Sequence, residues 1–212
     1  MFRPTYDMQQ EHIMKIGIIG AGAIGSAIAR ALGSANIDAV IANSRGPASL
    51  ASLEAELGAH IKAVTVEEAA RSDIVFLAVN WSKIPAAVQD LPSWQGRIVI
   101  DANNPIEAPA FRPFDLGGRT SSEIVADLLP GARVVKAFNH LRPALLSSDP
   151  GAEGGQRVLF VAGDDAAAKK EVVQLIGRLG FFALDIGRLA EGGKMFQFPA
   201  GPLPSLNLVK FD

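Results

Sequence analysis

One segment near the start of the chain, KIGIIGAGAIGSAIARALGSA, constrains the possible folds more than any other. The apolar run at 15–19 predicts a buried strand, and the small residues at 23–35 predict a helix. Between them, Gly20, Gly22 and Gly25 permit a tight turn, a close backbone approach to a pyrophosphate, and close packing of the helix on the strand. The segment therefore predicts a dinucleotide-binding βαβ unit. The alternative is a glycine-rich turn that only packs a helix on a sheet.

Apolar runs of strand length alternate with helical segments along the rest of the chain. Strands that alternate with helices form a parallel sheet with helices on both faces. The expected fold class is α/β: a Rossmann-type, doubly wound, mostly parallel sheet of about eight strands with a small C-terminal extension. We expect the strand order 3-2-1-4-5-6, extended by the last two strands. The further strands are predicted at 38–43, 61–64, 73–79, 97–102, 133–138, 156–163 and 181–187, and the further helices at 47–58, from 65, from 120 and at 165–180.

Composition excludes several functional classes. The chain has 212 residues, a formal net charge of −2 and no cysteine, so disulfides, Cys-ligated zinc and thiol catalysis are excluded. Three histidines without metal-ligand spacing predict no metal site, and we expect His12 and His60 to be surface residues. The charge balance predicts no nucleic-acid or membrane partner. Apolar runs are too short to span a bilayer, and we expect a cytoplasmic protein.

The second predicted strand ends in VIANSRG, where NAD-binding chains place an acidic residue. An acid there accepts hydrogen bonds from the ribose 2′-OH and repels a 2′-phosphate. This chain has Asn43, Ser44 and Arg45 instead, and a guanidinium can donate two parallel hydrogen bonds to a phosphate. The segment therefore favours NADP over NAD, the alternative being a solvated Ser-Arg turn.

Seven stretches carry a resemblance when they are taken in order: MKIGIIGAGAIGSAIARAL, VIANSRGP, IVFLAVNWSKIP, IVIDANNP, TSSEIVADLLPGARVVKAFN, VLFVAGDDAAAK and GPL. The chain resembles the NADPH-dependent reductases of the deazaflavin coenzyme F420 and the related NADPH domain of metalloreductases. The resemblance implies hydride transfer between NADP(H) and a flavin-type acceptor, either coenzyme F420 or a flavin such as FMN or FAD. The implied cofactor contacts are Gly20, Gly22, Ala23, Ile24, Gly25, Asn43, Ser44, Arg45, Val79, Asn80, Ala137 and Asn139.

Three positions depart from that family's pattern. Relatives often have proline at the position of Asn80, and threonine at the positions of Asn103 and His140. All three lie at the predicted carboxyl edge of the sheet, where the acceptor should bind. The departures leave the identity of the acceptor open.

Hydride transfer to a flavin-type ring requires that the ring stack on the nicotinamide and that water be excluded. The transfer of the hydride itself does not strictly require a general acid. A carbonyl acceptor would require a proton donor, and Lys136, His140 and Asp101 are the candidates at the right edge. Each also has a structural interpretation. Lys136 could pair with a carboxylate, His140 could donate to a loop carbonyl, and Asp101 could cap the turn before Asn103.

These predictions divide the chain into a disordered leader (1–13), an NADP-binding Rossmann domain (14–150) and a C-terminal extension (151–212). The extension would continue the sheet and end in a tail near the acceptor site. Because exposed Phe196 and Phe198 rings would leave apolar surface in water, we expect the tail to form part of a homodimer. Two other functions stay open: an imine or carbonyl reductase, and a non-catalytic NADP(H) sensor or electron-input subunit.

Overall fold

The structure is a computed structural model that describes residues 14–107 and 110–211. The predicted leader at 1–13, with His12, lies outside the described residues. The strands are β1 Ile16–Ile19, β2 Ala39–Ala42, β3 Ile61–Ala63, β4 Ile74–Leu77, β5 Ile98–Asp101, β6 Ile106–Glu107, β7 Arg112–Pro113, β8 Arg133–Lys136, β9 Gln156–Gly163, β10 Phe182–Asp185 and β11 Val209–Lys210. The helices are α1 Ala23–Ser34, α2 Ala51–Leu57, α3 Val66–Ala70, α4 Ile84–Val88, α5 Ser121–Leu128, α6 Pro143–Leu146, α7 Ala166–Arg178 and α8 Gly192–Met195.

The main sheet has the order β10-β9-β8-β5-β4-β1-β2-β3, and β11 pairs with β9. The six strands β8, β5, β4, β1, β2 and β3 are parallel to one another. Strand β9 is antiparallel to β8, and β10 is parallel to β9. The Rossmann-type fold and the extension of the sheet by two strands are therefore confirmed. Sequence patterns predicted neither the reversal at β9 nor the two short strand pairs, β6–β7 and β9–β11.

The central strands are buried on both faces because helices cover both sides of the sheet. Strands β1, β4 and β5 are buried at every position, as continuous apolar runs in parallel sheets usually are. Helices α1 and α7 pack on one face, in a cluster that contains Ile28 and Val172. Helices α3, α4 and α5 pack on the other face, in a cluster that contains Val88 and Val125. The two clusters hold the carboxyl ends of β1, β4 and β5 rigidly in register.

Two capping boxes fix helix starts that the sequence predicts at 65 and 120. The Thr65 hydroxyl accepts a hydrogen bond from the Glu68 N–H at 3.2 Å, and the Glu68 carboxylate accepts one from the Thr65 N–H at 2.8 Å. Thr120 and Glu123 form the same arrangement at the start of α5. The helix predicted at 47–58 instead begins as a 3₁₀ turn at Pro47–Leu50 and continues as α2.

The C-terminal tail folds against its own chain. Phe196 is completely buried with Val158, Phe160 and Ala162, and Phe198 is partly buried. The argument from two exposed rings therefore fails, and the homodimer stays a prediction. Within the described residues, no helix is both long and apolar enough to cross a membrane.

Candidate functional site

The glycine turn joins the carboxyl ends of three strands. Gly20 has φ +109°, and a Cβ there would collide with the Ala78 carbonyl oxygen after β4. The Gly20 N–H donates to the Ala42 carbonyl of β2 at 2.9 Å. A Cβ on Gly25 would collide with the Gly20 carbonyl, so α1 approaches the turn closely only because both residues are glycine. The turn stands at the point where the sheet order reverses, between β2 and β4.

The N-terminus of α1 is open to a ligand. Gly22 is the N-cap and has no side-chain cap, and the first turn carries no acidic residue. Gly22 and Ala23 are exposed, and a Cβ on Gly22 would meet no atom within 4 Å. In the described part of the chain, no backbone carbonyl accepts a hydrogen bond from the N–H groups of Gly22, Ala23 or Ile24. Free amides at the positive end of a helix bind phosphate well.

The turn after β2 is shaped by Asn43 and presents the next two side chains to solvent. The Asn43 Oδ1 accepts a hydrogen bond from the Arg45 N–H at 2.9 Å, and the Asn43 side chain bonds with Ser49 Oγ at 3.0 Å. Ser44 and Arg45 are exposed, and neither side chain has a hydrogen-bond or ion-pair partner among residues 14–107 and 110–211. Asn43 thus orders the turn, while Ser44 and Arg45 are free to bind an anion.

The remaining predicted cofactor contacts fall into an accessible group and a buried group. Val79 is half-buried against the glycine turn, and Asn80 is exposed after β4. Ala137 and Asn139, after β8, are fully or almost fully buried. Asn139 Nδ2 donates to Asn104 Oδ1 and to the Phe196 carbonyl, each at 2.9 Å. The tail therefore covers Asn139 in this structure, and the expectation that Ala137 and Asn139 contact the cofactor stays a prediction.

A buried charged network lies under the ends of β5 and β8. The Lys136 ammonium donates to the Asp101 carboxylate at 3.4 Å, to the Asn103 carbonyl at 3.1 Å and to Ser121 Oγ at 3.1 Å. Both Lys136 and Asp101 have no exposed side-chain surface. Asp101 also accepts hydrogen bonds from the Asn103 N–H at 3.0 Å and from Ser122 Oγ at 2.5 Å.

This network gives Lys136 and Asp101 structural roles. Burial lowers the pKa of Lys136, and the nearby Asp101 carboxylate opposes that shift. The structural interpretation of Lys136 as a carboxylate partner agrees with these contacts, as does that of Asp101 as a turn cap. Neither side chain reaches the surface where a substrate would bind, so neither is placed as a proton donor.

His140 is a core residue. It is 3% exposed, its ring lies 4.4 Å from the ring of Phe160, and Phe196 packs edge-on to it at 6.1 Å. Neither ring nitrogen has a hydrogen-bond partner among the described residues. The nearby Val158 backbone favours the protonated ring and so opposes the effect of burial on the pKa. Burial lowers the pKa of His140 to about 4. The expected hydrogen bond to a loop carbonyl is not formed, and the candidate role in proton transfer has no geometric support.

We expect the buried imidazole to make the protein less stable in weak acid. Above pH 6.5 the ring is neutral in both the folded and the unfolded chain, so the full stability is present. Between pH 6.5 and about 4 the unfolded chain binds a proton that the folded chain does not. The free energy of unfolding therefore falls by about 3 kcal/mol as the pH falls through this window. Urea denaturation from pH 4 to 7 measures the effect. In His140→Phe the fall in the free energy of unfolding that this imidazole causes between pH 6.5 and about 4 should disappear. The same pH dependence in both proteins would contradict the lowered pKa of His140.

Several residues of this edge were missed by sequence reasoning. Gln197 Oε1, from the tail, accepts a hydrogen bond from the Ser121 N–H at 2.6 Å, at the start of α5. Asn104 Oδ1 accepts hydrogen bonds from the Phe198 N–H at 3.0 Å and from Asn139. The only available signal was the unusual density of amides in DANNP and KAFN. These contacts join the tail to the loops after β5 and β8.

Other surface features lie away from this edge. A cleft of about 1030 Å³ borders the amino ends of β1 to β3, where His60 is paired with Asp38 at 2.7 Å. A second cleft, of about 440 Å³, lies between the end of α1 and the end of α7. Neither cleft includes the glycine turn. The described ranges contain no group of three His, Asp or Glu side chains that could hold a metal ion.

Comparison with known proteins gives one family profile and several similar proteins. A family profile described as NADP oxidoreductase, coenzyme F420-dependent, matches residues 15–105. The metalloreductase STEAP3 of Rattus norvegicus is 31% identical over 196 residues, which make up 90% of this chain and 37% of the relative. The chain thus spans little more than a third of the length of the curated metalloreductases it matches.

Two solved structures are similar over most of both chains. A hypothetical protein of Sinorhizobium meliloti superimposes with a TM-score of 0.89 and 50% identity, covering 93% of this chain and 96% of that one. A protein of Arthrobacter sp. FB24, named a candidate F420-dependent NADP reductase, superimposes with a TM-score of 0.71 and 30% identity, covering 83% and 86% of the two chains.

Proposed function

Because the chain belongs to the coenzyme F420-dependent NADP oxidoreductase family and is an NADP-dependent oxidoreductase, we propose that it transfers a hydride between NADP(H) and a flavin-type acceptor. The acceptor would be coenzyme F420 or a related flavin. The observation that carries the proposal is the exposed, unpaired Ser44–Arg45 pair beside the open N-terminus of α1. One site thus offers a permanent cation, a hydroxyl and free amides to a ligand with several phosphates.

From the strand order we propose a binding position for each part of the cofactor. The 2′-phosphate of the adenosine would bind Arg45 and Ser44 after β2, and the pyrophosphate would bind the amides of Gly22 to Ile24 at α1. The nicotinamide would then lie beyond the turn, at the ends of β4 and β5, near Val79 and Asn80. These residues, all at least partly exposed, lie in the order in which a dinucleotide crosses a switch point.

The chemistry of this edge suits an acceptor that needs only a hydride. Transfer moves one hydrogen with two electrons from nicotinamide C4 to the acceptor ring, and the ring can take its proton from water. A carbonyl would need a donor beside its developing alkoxide. The three ionisable candidates near the nicotinamide position, Asp101, Lys136 and His140, are all buried. This supports a flavin-type acceptor over a carbonyl.

The turnover test compares acceptors at a fixed cofactor concentration. Mixed with NADPH, the protein should reduce coenzyme F420, FMN or riboflavin, followed as loss of nicotinamide absorbance. NADH should be used less efficiently, and a simple ketone should give no turnover. A protein that reduces ketones but no flavin-type ring would contradict the proposal, and so would tight NADPH binding without turnover of any acceptor.

A further inference from the structure

Two aromatic side chains stand next to each other at the carboxyl edge: Trp81 packs against a core cluster, and Phe114 lies outside it. Trp81 opens the 3₁₀ turn that follows Asn80, and Phe114 follows β7. Their ring centroids are 6.5 Å apart and the ring planes are tilted by 53°, so the two faces diverge rather than stack. Phe114 is 39% exposed and Trp81 is half-buried. We call these two residues the aromatic pair.

Hydrogen bonds fix the aromatic pair to the ends of two adjacent strands. The Phe114 N–H donates to the Pro105 carbonyl at 2.9 Å, which attaches Phe114 to the loop after β5. The Lys83 N–H donates to the Asn80 carbonyl at 2.8 Å, which closes the turn that carries Trp81 after β4. Strands β4 and β5 are neighbours in the sheet. The aromatic pair therefore borders the position to which the strand order assigns the nicotinamide.

The charges around the aromatic pair balance. Lys83 and Arg112 are exposed cations that flank the two rings in sequence, and Glu107 and Asp115 are the acids beside them. Glu107 lies opposite Arg112 in the β6–β7 pairing, and β6 contacts the turn at Trp81–Lys83. These four residues carry two charges of each sign, so together they favour neither an anion nor a cation. Recognition at this surface would depend on ring faces.

We propose that Trp81 and Phe114 form one wall of the acceptor site and stack against the flat ring of the flavin-type acceptor. This inference rests on the proposed hydride transfer, because it is that reaction that requires a ring over the nicotinamide. Exposed aromatic faces bind planar heterocycles in a way that tolerates different substituents. The aromatic pair holds the ring and takes no part in the transfer of the hydride.

The test measures acceptor binding and cofactor binding separately. Riboflavin and FMN are titrated into NADP⁺-loaded protein, with quenching of flavin fluorescence as the signal, and NADPH affinity is measured by calorimetry. Phe114→Ala and Trp81→Ala should each weaken both flavins by about tenfold or more. Trp81→Phe should restore most of the affinity, and NADPH affinity should stay within about twofold. Equal losses for riboflavin, which lacks a phosphate, and FMN would show that the ring is recognised.

Phe211→Ala is the matched control. Phe211 is a 63% exposed phenylalanine that follows β11, which pairs with β9 rather than with β4 or β5. Its removal should leave flavin affinity unchanged. If Trp81→Ala does not fold, the result for Phe114→Ala decides alone, because the Phe114 ring is exposed and belongs to no core cluster of the described residues.

The possible failures can be told apart. Wild-type flavin binding and turnover in Phe114→Ala and Trp81→Ala would overturn the inference and leave the proposed function intact. Absence of binding and turnover of coenzyme F420, FMN and riboflavin in the wild-type protein would overturn both. Conversion of a dimer to a monomer by Phe114→Ala, without loss of flavin affinity in the monomer, would identify the aromatic pair as an interface between copies and overturn the inference.

Discussion

Replacing Lys136 by methionine is expected to lower the free energy of unfolding by about 3–5 kcal/mol, although methionine fills a similar space. The substitution removes the cation that faces Asp101 at 3.4 Å, where neither side chain has exposed surface. It also leaves the Asn103 carbonyl and Ser121 Oγ without the ammonium group that each contacts at 3.1 Å. A buried carboxylate without its partner cation is costly, because water cannot reach it. Urea denaturation measures the change.

Two further variants show whether the loss of stability comes from the unpaired buried charge or from the removal of any lysine. Adding Asp101→Asn to Lys136→Met should recover part of the stability, because the unpaired charge is then gone. Lys169→Met removes a lysine that pairs with the half-exposed Asp185 at 2.9 Å, and it should cost about 1 kcal/mol or less. A loss for Lys136→Met no larger than that for Lys169→Met would refute the structural role of the buried network.

Replacing Gly20 by alanine is expected to lower the free energy of unfolding by about 2–5 kcal/mol. The loss has two causes: a φ that L-residues disfavour, and overlap of the new methyl group with a backbone carbonyl. The backbone has φ +109° at this position, and the new methyl group would collide with the Ala78 carbonyl. Because β4 is held in register with β1, the Ala78 carbonyl moves only if the sheet edge distorts. Thermal or urea denaturation of the cofactor-free protein measures this loss.

Gly22→Ala is the paired variant, since its Cβ would meet no protein atom within 4 Å. Its free energy of unfolding should stay within about 1 kcal/mol of wild type. NADPH binding should nevertheless weaken by about tenfold or more, because the methyl group would stand where the pyrophosphate approaches α1. We assign Gly20 to the shape of the turn and Gly22 to the approach of the pyrophosphate. Equal losses of unfolding free energy in Gly20→Ala and Gly22→Ala would contradict this division of roles.

The predictable part of this protein is the part in which local chemistry decides the structure. Glycines at 20, 22 and 25, a strand before them and a helix after them leave little choice of fold, and the capping boxes at Thr65 and Thr120 mark helix starts. The Ser44–Arg45 pair could be proposed as the phosphate site because residues after the second strand of such a unit contact the adenosine ribose. In each case the relevant residues are close in sequence.

The unpredicted part depends on contacts between distant segments. Nothing near Lys136 in sequence indicates that Asp101, 35 residues away, would face it in a dry interior. The sequence predicted His140 to lie in a loop, but Phe196 of the tail packs against its ring. Gln197 reaches Ser121 across 76 residues of sequence. The tail thus covers His140 and Asn139, two residues that the sequence placed at the accessible edge of the sheet.

Calorimetric titration of NADPH and NADH, into the wild-type protein and into Arg45→Ala, tests the central claim that Arg45 and Ser44 select the phosphorylated cofactor. Wild type should bind NADPH more tightly than NADH. Arg45→Ala should lose about 1.5–3 kcal/mol of NADPH binding free energy, as expected for charged hydrogen bonds, with little change for NADH. Equal affinities of the wild-type protein for the two cofactors, or equal losses for both in the variant, would contradict the account.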